Sequence, residues 1–306
     1  MGDINLRNTH FFSGVRCGIL MALMKRGQLM KSMRPDKNIC VKKIRIAAEG
    51  RTIPALVLTP KSGARSRACV LWIHGGGYIS GMKEMVHMSR AVELVKDFGV
   101  TVVSPGYRLA LFAPYPAALE DCYAALLHIK NNADALGVDE RQIMVGGESA
   151  GGGLTAAVCM LARDRGEVKV AFQMPLYPML DNLDTASSRD NHGRVWNTRK
   201  NHLAWRMYLR GSAKRDDVPP YAAPARQTDY TALPPAYTFV GDGEPFYAET
   251  LSYIDALRRC GIPAEVDVYH TDMHAFDMMQ PDTALAREAA DKFNARFACA
   301  LEHYFA

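Results

Sequence analysis

The chain of 306 residues has no C-x-x-C pair, no internal repeat, no low-complexity tract and no Gly/Ser linker. Each absence closes off a class of protein. Its seven cysteines, Cys17, Cys40, Cys69, Cys122, Cys159, Cys260 and Cys299, are odd in number and dispersed, which argues against a disulfide scaffold and for a reduced, cytoplasmic protein that uses Cys as a small core residue. None has a histidine at ligand spacing, so no metal is expected. Charge of one sign is also scarce: 37 Lys and Arg stand against 32 Asp and Glu, a net charge of +5. Neither nucleic acid nor a membrane surface finds an electrostatic footprint there. The longest early apolar run, Ile19 to Met24, is far shorter than the ~20 residues of a spanning helix. Lys25, Arg26 and Lys31 follow that run instead of preceding it, against a signal peptide. What is present is apolar material, 48% of the residues, enough for a large buried core.

The pattern changes along the chain. Cys40 to Thr59 alternates apolar and polar residues about Glu49-Gly50, which predicts an antiparallel hairpin. Continuous apolar runs follow at Ala68 to Ile73, Val100 to Val103, Ile143 to Val145, Ala171 to Met174, Tyr237 to Val240 and Val266 to Tyr269, the texture of strands buried on both faces of a parallel sheet. Helix-period stretches lie between them at Glu84 to Asp97, Ala117 to Lys130, Leu154 to Arg163, Phe246 to Arg259 and Thr283 to Phe305. In the last, Phe293, Phe297, Leu301 and Phe305 mark one face. The alternation predicts an α/β fold with a mostly parallel central sheet and helices on both faces. Residues 1–306 read as a single domain. Two segments stand outside the alternation, residues 1–38 and 183–214, the second with a helical pattern from Asn201 to Leu209; both are candidate caps over a pocket.

Three groups carry chemistry. The strand from Ile143 runs through Gly147-Glu148-Ser149-Ala150-Gly151 into a helix. This is G-x-S-x-G on a strand-to-helix turn, where glycines leave room for a bend that presents the Ser149 hydroxyl. His74-Gly75-Gly76-Gly77 directly follows a strand; its glycines let backbone N–H groups turn toward developing negative charge. Gly76 and Gly77 are the candidate donors, with the N–H of Ala150 as a third, and His74 is read as a brace for the loop. Dinucleotide binding, the rival use of Gly75-x-Gly77, lacks its ribose-binding acid, because the next strand ends in Ser104-Pro105. A serine needs a base, and the base needs a carboxylate. Asp242 and Glu244 follow one strand end and His270 and His274 the next, in the order Ser, acid, His.

These groups, with Tyr107-Arg108-Leu109-Ala110, Pro114-Tyr115-Pro116-Ala117-Ala118-Leu119 and Leu233-Pro234-Pro235-Ala236, resemble the hormone-sensitive-lipase-like group of α/β-hydrolases, from about residue 42 to the end. The resemblance implies an α/β-hydrolase fold with a helical cap and a serine carboxylesterase acting on short- to medium-chain acyl esters. It places the nucleophile at Ser149 and the base at His274. The family's acid usually precedes a proline, which here selects Glu244 before Pro245, with Asp242 as the rival. Leu111-Phe112-Ala113 replaces the usual Pro-Glu-His. An amidase or deacetylase on the same residues, and a receptor that has lost catalysis, are the alternatives; His274 argues against the receptor. The implied partner is a small-molecule ester, no cofactor is called for, and a homo-oligomer is compatible. The remaining histidines, His10, His87, His128, His192, His202, His270 and His303, lack this setting. Trp196 and Trp205, and Met21, Met24, Met30 and Met33, are candidates for a pocket wall or for packing.

Overall fold

The computed structural model describes residues 33–210 and 218–306. Eight strands form one sheet: β1 (Ile39–Ala48), β2 (Arg51–Pro60), β3 (Cys69–Ile73), β4 (Thr101–Pro105), β5 (Ile143–Glu148), β6 (Phe172–Leu176), β7 (Ala236–Gly241) and β8 (Ala264–Tyr269). Their order is β1-β2-β4-β3-β5-β6-β7-β8. The β1–β2 hairpin and the β2–β4 pair are antiparallel, and every pair from β4 to β8 is parallel. All five residues of β3 are buried, as are all of β4, β5, β6 and β7. That is why these strands read as unbroken apolar runs.

Alternate side chains serve opposite faces. Cys69, Leu71 and Ile73 of β3 pack on one side with α1 (Ala117–Asn131), α2 (Ala150–Arg165), α3 (Thr198–Tyr208) and α4 (Tyr247–Arg259). Val70 and Trp72 pack on the other with residues 86–95 and with α5 (Ala284–His303). Helix starts are capped: the Asn197 side chain accepts from the N–H of Lys200 at 3.1 Å, and that of Thr283 from the N–H of Ala286 at 3.2 Å. The edge strand β1 exposes Lys42, Lys43 and Arg45, charges that discourage edge-to-edge pairing.

Two predicted helices differ. Glu84 to Asp97 is three short pieces, Lys83–Met88, Ala91–Glu93 and Leu94–Phe98. Ser89 breaks the run with extended backbone (φ −96°, ψ 171°), and its hydroxyl takes the N–H of Ala91 at 3.2 Å and donates to the Val86 carbonyl at 2.9 Å, the local competition that makes serine a poor interior residue. The final helix ends at His303, so Phe305 lies beyond it and is exposed, under the Arg141 guanidinium, while Phe293 and Phe297 are buried. Most of the predicted N-terminal cap, with Met21, Met24, Met30, Cys17 and His10, lies outside the described residues; Met33 is buried. Of the second cap segment, residues 183–210 are described and contain α3. Among the described residues no helix is long and apolar enough to cross a membrane, and no cluster of His, Cys, Asp and Glu is arranged to hold a metal. The six cysteines among them are all free.

Candidate active site

β5 delivers the chain to Ser149, whose backbone sits at φ 58° and ψ −119°. A residue with a side chain occupies that region only when its surroundings hold it there. They do so here through three backbone bonds at 3.0 Å: Ser149 N–H donates to the Leu176 carbonyl, and the Ser149 carbonyl accepts from the N–H groups of Gly153 and Met179. α2 begins at once. It can pass so near β3 because position 151 is glycine: a Cβ there would stand 2.0 Å from the Ile73 carbonyl oxygen.

The ends of β7 and β8 bring the other two groups to this turn. His274 places Nε2 2.9 Å from the Ser149 hydroxyl, and its Nδ1 is hydrogen-bonded to Oε2 of Glu244. The second carboxylate oxygen of Glu244 accepts the N–H of Gly241 at 3.1 Å, so the longer acid folds back onto its own strand end. All three side chains are buried. Tyr177 and Phe246 set their rings edge-on to the imidazole at 5.2 and 5.0 Å, fixing its plane. Asp242 points elsewhere. It meets His270 Nδ1 at 2.8 Å and the N–H of Thr271 at 3.1 Å, and the His270 side chain is fully exposed. The hydrogen bond pulls Asp242 below the usual carboxylate range and raises His270 above the usual histidine value.

The glycine loop lies against the turn: a Cβ on Gly75 would stand 3.3 Å from that of Ser149. Gly76 and Gly77 have φ of 115° and 62°, which glycine adopts without penalty. The Gly76 carbonyl is turned to Ser80, accepting its N–H at 3.0 Å and its hydroxyl at 2.8 Å. No described group accepts from the N–H of Gly76, Gly77 or Ala150. His74 braces the loop. Burial lowers its pKa to about 4, so the ring is neutral, and Nδ1–H donates to the Gly75 carbonyl at 2.8 Å while the ring stacks on Tyr107 at 4.2 Å.

The cap segment reaches this loop. Trp196 leans on Gly77 so closely that a Cβ there would fall 2.2 Å from the indole ring, and Asn191 donates to the Gly243 carbonyl at 3.0 Å. Trp205 is buried against Tyr78 and Tyr208 and is packing. The other described histidines are apart from the site; His202 pairs with Asp184 at 2.6 Å and His192 with Asp190 at 3.1 Å. Leu111 and Phe112 are exposed, Phe112 by 81%.

One group went unseen in the sequence. Glu148 is 2% exposed and neither carboxylate oxygen has a hydrogen-bond partner; burial raises its pKa to about 8. An acid at the inner end of a wholly apolar strand was the available signal.

A hydroxyl held by an imidazole, itself held by a carboxylate beside unused N–H donors, is equipped for attack on a carbonyl carbon. Over residues 70–278 the chain matches a protein family described by an alpha/beta hydrolase fold. The chain belongs to the α/β-hydrolases, in the hormone-sensitive-lipase-like group that its motifs resemble. It is 32% identical to the esterase LipI of Mycobacterium tuberculosis over 68% of this chain, and it spans 65% of the length of that relative. It is 30% identical to carboxylesterase NlhH of the same species over 85% of this chain and 82% of NlhH. Among solved structures, a bacterial heroin esterase superposes with a TM-score of 0.83 at 31% identity, covering 92% of this chain and 88% of that one.

Proposed function

We propose that the protein is a serine carboxylesterase that hydrolyses short- to medium-chain acyl esters through an acyl-enzyme. The observation that carries the reading is the 2.9 Å contact between Ser149 Oγ and His274 Nε2, with Glu244 on the far nitrogen. His274 takes the proton of Ser149 as the oxygen attacks the ester carbonyl. Glu244 holds the ring and stabilises its cationic form, and the N–H groups of Gly76, Gly77 and Ala150 receive the oxyanion. His274 then protonates the leaving alcohol, and water repeats the sequence on the acyl-enzyme to release the acid. A single such donor contributes roughly 2.7–4 kcal/mol to the transition state. The relatives named esterases support the ester as substrate. No step uses a metal or organic cofactor, so turnover in chelator should equal turnover without it.

We read residues 183–210 as part of a cap, supported by the Trp196 contact with Gly77. The free cysteines fit a reducing, cytoplasmic setting.

The test is a series of p-nitrophenyl esters of increasing acyl length, with a matched anilide, on the purified protein and on Ser149→Ala. The native chain should cleave acetyl and butyryl esters in preference to long ones and to the anilide, and should take up one organophosphate. Ser149→Ala should lose about 10⁶-fold in turnover and resist labelling. A labelled mutant would put the nucleophile elsewhere, and preference for the anilide would make the protein an amidase.

A further inference from the structure

Glu148, next to Ser149 in the chain, ends β5 in a buried polar cluster that the reaction above does not use. Trp72 comes to it from β3, Arg90 from the broken helical stretch before β4, Tyr107 from the loop after β4, Tyr177 from the end of β6 and Asp277 from just beyond His274, while the partly exposed Glu93 borders the cluster through Arg90. His74, stacked on Tyr107, is neutral and adds no charge. The cation of the cluster is already engaged: Arg90 Nη1 lies 2.9 Å from both oxygens of Glu93, and its Nε lies 3.3 Å from Asp277. The guanidinium is shared between Glu93 and Asp277 and forms no ion pair with Glu148. Asp277 has the stronger claim to a charge, because Tyr177 also donates its O–H to it at 2.9 Å. Among the described residues Glu148 is in no ion pair, and the Trp72 indole N–H that faces it falls short of a hydrogen bond; a buried carboxylate held so weakly takes up a proton instead.

We infer that Glu148 is a positioning residue held as a neutral carboxylic acid, and that its ionisation in alkaline solution disables the site. The direction follows from its place. Glu148 is the residue before Ser149 and two before Ala150, so a new anion there opposes the negative charge that gathers at the Ala150 N–H. The anion would also draw on the unpartnered Trp72 indole N–H and on the Tyr177 hydroxyl, now bonded to Asp277, and Tyr177 is one of the rings set edge-on to the His274 imidazole.

The kinetic part rests on the esterase reading; the protonation part does not, and the experiment separates them. Infrared titration of Ser149→Ala from pH 6 to 10 should show a protonated-carboxyl band that disappears with a midpoint near 8 and is missing from Ser149→Ala/Glu148→Gln. In the protein with Ser149 intact, kcat should fall above that midpoint by roughly tenfold per pH unit, and in Glu148→Gln the ratio of kcat at pH 9.5 to kcat at pH 7 should return to about one. A band absent from Ser149→Ala, or a fall that persists in Glu148→Gln, overturns the inference. Should Glu148→Gln fail to fold, Asp277→Asn serves: removing the neighbouring negative charge should move the midpoint below that of the parent, and a midpoint that stays or rises overturns it. Absence of ester hydrolysis with the band intact would instead overturn the esterase reading alone.

Discussion

Two acid–histidine pairs stand at the ends of β7 and β8. Asp242 and His270 meet in solvent, with side-chain exposures of 38% and 100%; Glu244 and His274 meet in the interior, with exposures of 0% and 5%. The acids are two residues apart and the histidines four. Sequence proximity therefore says little about which pair does chemistry. Their second contacts separate them: His274 has a serine hydroxyl on its other nitrogen and aromatic rings on both flanks, whereas the hydrogen bonds of Asp242 go to His270 and a backbone N–H. A charged pair in water is worth little because solvent screens it. A buried pair is expensive to break, since either partner left alone keeps its desolvation cost.

The contrast breaks most visibly at Glu244. Glu244→Gln keeps the shape but offers an amide to Nδ1, and turnover of an aryl ester should fall about 10⁴-fold, the scale of losing the carboxylate behind a catalytic imidazole. A fall of that size in Asp242→Asn instead would exchange the roles of the pairs. Next comes Glu244→Asp, which keeps the charge but shortens the reach in a backbone built for the longer side chain. It should cost about 10²-fold in kcat, as a displacement of about 1 Å does, and full activity would show that the strand end adjusts. The smallest effect belongs to the exposed pair. Asp242→Asn should change turnover by less than about twofold and lower the titration midpoint of His270, followed by its imidazole proton resonance. The signs are fixed: His270 is raised by Asp242, so its share of stability is complete below the unfolded histidine value and is lost as pH rises through the folded one. Asp242 is lowered, so its share is present above the unfolded carboxylate value and is lost as pH falls through the folded one.

The buried acid Glu148 adds a stability signature with the sign of His270's slope, opposite to that of Asp242. Its folded pKa, about 8, lies above the ordinary 4.5, so between those values the folded chain keeps a proton that the unfolded chain has released. Stability should decline with pH across that window, by up to about 1.4 kcal/mol per unit, and denaturant titrations of Glu148→Gln should lack that part of the slope.

The body of the fold was legible because burial on both faces leaves a run of apolar residues that nothing else produces: Ala68 to Ile73 and Tyr237 to Val240 fall within one residue of β3 and β7 at each end. Ser149, Glu244 and His274 were legible because each follows a strand end. The stretch from Glu84 to Asp97 was not, since its periodicity is helical and the break depends on one hydroxyl, that of Ser89. Glu148 escaped for a different reason. Its environment is made by Trp72, Arg90, Tyr177 and Asp277, which arrive from four other segments, and no local pattern says that an acid between two apolar stretches will be left without a full hydrogen bond.

The indole resting on the glycine loop also constrains how this protein can change. The space that any side chain at position 77 would need is filled by the ring at position 196, so substitutions at the two sites are not independent. Trimming the tryptophan removes the clash but leaves the left-handed backbone at position 77, which glycine alone takes without strain, so this wall can be reshaped at position 196 while position 77 stays glycine.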